Sequence, residues 1–141
     1  MRNLLLFLHV VGAILLIGPT TLATSRFARH VVEGDVAGAS QAARTSRIYG
    51  TASVVVPVLG VALALRIDEF AQLWVQLSLG LFVVGAVLLL GVHLPAQRHA
   101  LTELDAGEAV SSTVLMQLRA SAGSYALTWV VIVWLMVAKP G

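Results

Sequence analysis

The stretch LLLFLHVVGAILLIGPTTLA, residues 4–23, decides the fold. It runs for 20 residues between Arg2 and Arg26 without an Asp, Glu, Lys or Arg. An α-helix rises 1.5 Å per residue, so about 20 apolar residues cross the hydrocarbon core of a bilayer. Three more stretches meet the same test: about Ile48 to Leu65, about Ala71 to Val92, and about Ala120 to Ala138. None carries a charged side chain in its interior, as lipid burial requires. The reading is an all-α, polytopic membrane protein: four transmembrane helices in two hairpins, forming one domain over residues 1–141.

Composition points the same way. Hydrophobic residues make up 58 % of the chain and charged residues 11 %, against about 25 % charged in ordinary soluble domains. A chain so poor in charge cannot cover its own surface in water. There is no cysteine, which removes disulfides, thiolate metal sites and thiol nucleophiles together. The net charge of +2 is small and no basic run is interleaved with aromatics, so no nucleic-acid partner is expected. Arg2 ahead of an apolar run, with the small residues Ala23-Thr24-Ser25 after it, also resembles a secretory signal. The run is long enough to span, which favours a retained helix.

Orientation follows from the Lys and Arg in the connecting segments. Arg2, Arg66 and Lys139 lie on the side of the termini; Arg26, Arg29, Arg44, Arg47, Arg98 and Arg119 lie on the other. The richer side is expected to be cytoplasmic, placing both termini outside (N-out/C-out). The two cytoplasmic connections, about 24 and 27 residues, read as helical extensions around short turns. Glu33-Gly34-Asp35 breaks the first and Asp105-Ala106-Gly107-Glu108 the second. A faint repeat accompanies these turns: Arg29-His30-Val31-Val32-Glu33-Gly34-Asp35 resembles Arg98-His99-Ala100-Leu101-Thr102-Glu103-Leu104-Asp105, with one extra residue. Duplicated hairpins and chance similarity of two acidic turns both account for it.

Small residues supply packing surfaces, since lipid gives no hydrophobic drive between helices. Gly60-x-x-x-Ala64 and Ala122-x-x-x-Ala126 have the usual spacing, for intramolecular packing or a dimer face. Pro19 frees the carbonyl of Leu15, and Pro57 that of Ser53. Each reads as a packed kink, with a cavity beside Pro57 as the functional alternative. A transporter needs charged groups near the midplane, and these spans offer only hydroxyls and kinks.

One titratable residue lies well inside a span. His9 is about five residues in, roughly 8 Å below the edge. An intramembrane ionisable residue is a functional candidate by default. It is a candidate haem axial ligand, proton relay, or hydrogen-bonding partner for a quinone or porphyrin. The bland alternative is a neutral imidazole bonded to a neighbouring helix. At its depth lie Trp74, Gln76 and Ser78, and from the fourth span Trp134. His93 is about 15 residues beyond that layer, roughly 23 Å away along the helix, so His9 and His93 cannot clamp one haem. A haem at His9 would be five-coordinate, or shared by His9 of two copies. His30, His93 and His99 read as solvated interface residues, with a site from His30 and His93 as the alternative. No metal-ligand spacing or catalytic constellation is present.

The segments Phe7-Leu8-His9-Val10-Val11-Gly12-Ala13-Ile14, Gly18-Pro19, Ser46-Arg47-Ile48-Tyr49-Gly50 and Leu94-Pro95-Ala96-Gln97-Arg98 resemble a bacterial family of predicted integral membrane proteins, domain of unknown function 2269. The resemblance covers nearly the whole chain and implies a multi-pass protein of the bacterial inner membrane. A more distant likeness is to the small four-helix protoporphyrinogen oxidases of the HemJ type, through Leu8-His9, Phe27 and His30. That family binds haem and needs a lysine in its third span. Trp74 to Leu79 contains none, and Ser78 is the nearest match. The likeness therefore does not support the oxidase activity and leaves porphyrin binding open. The expectation is a small membrane component associated with haem or porphyrin at His9, in the lipid bilayer alone, as a homodimer, or within a larger membrane complex. The alternative is a non-catalytic structural subunit.

Overall fold

The computed structural model describes residues 1–141 and is all-helical. Four long helices follow one another: α1 (Arg2–Val32), α2 (Val36–Arg66), α3 (Leu73–Asp105) and α4 (Ser112–Ala138). Each is apolar and long enough to cross a membrane. At 27 to 33 residues they run about 40–50 Å, beyond the roughly 30 Å hydrocarbon core. The apolar stretches of the sequence are the middles of these helices. Their extensions reach out on the side of the two longer connections. Leu4, Ile14, Val58, Val83 and Val130 are among many large apolar side chains left exposed on the outside of the bundle, which is the surface a bilayer solvates.

The turns stop the helices by a shared device. Gly34 and Gly107 adopt φ of +69° and +73°, where a Cβ would be strained. Around Gly34, the Asp35 N–H donates to the His30 carbonyl and the Gly34 N–H to that of Val31. Around Gly107, the Glu108 N–H donates to Glu103 and the Gly107 N–H to Leu104. Both are Schellman closures, so the two acidic turns match in hydrogen bonding as well as in sequence. The next helix is then capped. Asp35 Oδ1 accepts from the Gly38 N–H at 2.9 Å, and Ser111 Oγ from the Val114 N–H at 3.3 Å.

The prolines act where the sequence places them. α2 is interrupted at Ser53 and Val54, ahead of Pro57, whose ring crowds the Ser53 carbonyl. That carbonyl is taken instead by the Val56 N–H at 3.0 Å, while the Ser53 hydroxyl donates to Gly50 at 2.6 Å. In α1 and α3 the helix widens into π-helical turns, Ala13–Ile17 and Val87–His93, just before Pro19 and Pro95. Thr20 and Thr21 hydroxyls donate to the carbonyls of Leu16 and Ile17.

The bundle is not uniform along its length. In the half beside the two longer connections, which we call the turn half, all four helices meet. Phe27, Ala39, Ala100 and Leu118 are completely enclosed there, with Ala23, Ala28, Val31, Ala42 and Ala96 around them. In the half beside the termini, α1 packs on α2 and α3 on α4, with little contact between the two pairs. A lateral cleft separates them.

Candidate functional site

The cleft encloses about 570 Å³, within the range of small-molecule sites. One wall comes from the α1–α2 pair, including His9, Pro57 and Gly60, and the other from α3 and α4, with Trp74, Ser78, Phe82 and Trp129. The aromatic wall is ordered: Phe82 and Trp129 meet edge-to-face at 5.8 Å between ring centres. Trp129 Nε1 is buried and donates to nothing. Polar groups collect at the end nearest the termini, where Arg2, Asn3, Glu69 and Lys139 form the rim. Lys139 bridges to Glu69 at 3.0 Å and lies 5.0 Å from the centre of the Trp74 ring. The α2–α3 loop is thereby tied to the end of α4.

His9 is buried at 8 % exposure, and its Nδ1 lies 2.8 Å from the Val56 carbonyl. A carbonyl only accepts, so Nδ1 carries the proton and a neutral ring keeps the lone pair on Nε2. Two features of α2 create this geometry. The break ahead of Pro57 reshapes the backbone around Val56. Gly60, one turn on, leaves room for the ring: a Cβ there would meet His9 Cε1 at 2.9 Å and Nδ1 at 3.3 Å. Gly60 thus serves the imidazole directly, beyond the general helix packing expected of it. Ala64, the other member of that motif, is buried at 4 % exposure.

Of the residues expected at the depth of His9, Trp74 and Ser78 share its cleft. Gln76 does not; its side chain is exposed and donates to the Phe70 carbonyl at 2.7 Å. Trp134 is 67 % exposed on the outer face of α4. Both sit at the right height on the wrong face. Phe82 and Trp129 were not singled out by depth, because the cleft gathers residues from more than one layer.

The other histidines divide. His30 Nδ1 pairs with Asp35 at 2.9 Å and His99 with Glu103 at 3.3 Å, both on the turn half. His93 departs from the solvated reading, with only 1 % exposure. Its Nδ1 is 2.7 Å from Ser121 Oγ, and its Nε2 accepts from the Gln97 amide at 3.1 Å. Gln97 reaches on to Ser46 Oγ at 3.3 Å. This network joins α2, α3 and α4 in mid-bundle. The helix of His93 continues well past the apolar stretch and packs there, so the end of the span is enclosed. His30 bonds elsewhere, so His30 and His93 form no joint site.

Residues 3–140 match the model of a family described as predicted integral membrane protein, domain of unknown function 2269. The chain belongs to that family. No curated protein and no solved structure matches it. Family membership agrees with the four apolar helices and assigns no chemistry to the cleft, so the chemistry rests on the side chains that line it.

Proposed function

We propose that this membrane protein holds a haem or porphyrin in the cleft between its two hairpins, with Nε2 of His9 as the nitrogen that would hold its metal. The observation that carries this reading is the hydrogen bond from His9 Nδ1–H to the Val56 carbonyl. A histidine that ligates metal characteristically donates its other ring N–H to a carbonyl or carboxylate, which fixes the tautomer and raises the basicity of the ligating nitrogen. The surroundings suit a flat amphipathic ring. Trp74, Phe82 and Trp129 offer an aromatic wall, and Arg2 and Lys139 at the rim offer cations to peripheral carboxylates. The cleft lies within one chain, which favours a single copy over a haem shared by two. The Lys and Arg bias further supports an arrangement with this cleft toward the outer face of a bacterial inner membrane.

The test is spectroscopic. Protein purified in mild detergent from haem-replete cells should show a Soret band, and haemin added to colourless protein should generate it. His9→Gly should abolish the band, and free imidazole should restore it; that rescue separates loss of a ligand from loss of fold. A preparation that neither carries nor takes up haemin would sink the proposal. A stoichiometric protein partner on such colourless material would favour the structural-subunit alternative.

A further inference from the structure

A second concavity, of about 170 Å³, lies between α2 and α3 on the turn half and is unrelated to the His9 cleft. Arg44, Arg47 and Arg98 surround it, with Ser40, Gln97 and Leu94 in the same lining. No carboxylate lines it. The ion pairs of the molecule are Arg29–Glu33, His30–Asp35, His99–Glu103 and Lys139–Glu69, so the three arginines that line this pocket have no acidic partner. Gln97 is 1 % exposed, and its Oε1 is buried with no hydrogen-bond partner. Its amide nitrogen is spent on His93 and Ser46. The Ser46 and Ser121 hydroxyls donate to the Ala42 and Leu118 carbonyls, so each accepts in this chain and the amide nitrogen of Gln97 stays the donor. Oε1 of Gln97 is left as an unpaired acceptor, which a donor hydroxyl would suit and an anion oxygen would not.

We propose that this pocket binds the phosphate of an anionic lipid headgroup. Its height in the bundle selects that source. Arg47 immediately precedes the apolar stretch beginning at Ile48, and Leu94 follows the one ending near Val92, so the pocket opens where the hydrocarbon gives way to headgroups. Basic pockets between transmembrane helices at this level capture phosphate-bearing headgroups. Guanidinium forks match phosphate oxygens in pairs, and an anion there relieves the mutual repulsion of three unpaired arginines. The free Oε1 of Gln97 is an acceptor and suits a glycerol hydroxyl beside the phosphate.

The experiment uses the full chain, delipidated in neutral detergent, with native mass spectrometry and thermal unfolding as readouts. Phosphatidylglycerol should be retained through gentle activation and should raise the melting midpoint; phosphatidylcholine should do neither. The triple variant Arg44→Gln, Arg47→Gln, Arg98→Gln should bind about a hundredfold more weakly, taking roughly a factor of five for each arginine near a headgroup. Arg119→Gln, an exposed arginine on the same half but outside the pocket, should bind as the parent does. Equal retention by the triple variant and the parent overturns the proposal, as does equal retention of phosphatidylcholine. Inorganic phosphate reproducing the whole thermal shift and displacing the lipid would overturn the lipid assignment.

Discussion

The two halves of this bundle use the same helices for opposite ends. On the turn half, alanines face one another and Phe27 and Leu118 fill the remaining volume, so four helices close to exclusion of solvent. On the termini half the hairpins stay apart, and the space between them is lined by aromatics and one imidazole. The closed half holds the geometry and the split half leaves room for a ligand. Rigid support beneath an open site is what precise placement of a side chain such as His9 requires.

Matched truncations in the two halves bring the largest difference. Phe27→Ala removes a fully enclosed ring and should cost about 3–5 kcal/mol, read as loss of folded protein in a detergent unfolding titration. Phe82→Ala removes a ring that already borders open space; it should cost about 1 kcal/mol, chiefly its edge contact with Trp129. Equal costs would mean that the cleft is as tightly packed as the core, and the contrast between the halves would fail.

Gly60→Ala sharpens the comparison inside the open half. The added methyl meets the imidazole of His9, so the ring must turn and its bond to Val56 is lost, at about 1–2 kcal/mol. The expected signature is a chain that stays folded while haemin binding falls with the His9 variant. Unchanged haemin affinity would show that the placement of the ring by α2 is immaterial.

The smallest effect belongs to the turn beneath the closed half. The Gly38 N–H and then His30 hold the Asp35 carboxyl below the usual carboxylate range. Its folded-state pKa is depressed, so its stabilisation is present above the ordinary carboxylate pKa of about 4 and is lost as pH falls through the lowered value. Asp35→Ala should lower the thermal midpoint slightly at neutral pH, with the gap to the parent closing in acid. A gap that persists undiminished at the lowest pH would remove the ionised cap from the account.

Much of this was legible from the residues in order. The four spans, the helical extensions, and the turns at Gly34 and Gly107 follow from hydropathy and turn chemistry, which are local. His9 stood out because an ionisable group in a span is costly wherever it points. The cleft was foreshadowed only as the alternative of a cavity beside Pro57, which does line it. Its other walls were not legible, because depth along a helix says nothing about the face: Gln76 and Ser78 lie two residues apart, and only Ser78 turns inward. His93 was misjudged for a different reason: it was placed at the solvated end of its span, but the helices continue and pack beyond the apolar stretches, which encloses it in a buried network.

What the sequence alone determined is that this chain must span a membrane four times, because uninterrupted apolar runs of that length have no other stable environment. Tertiary structure decided where the bundle closes and where it opens. Inside lipid, helix association depends on the shape of facing side chains and not on hydrophobicity, and shape is read only when Gly60 is set against His9 and Ala39 against Phe27.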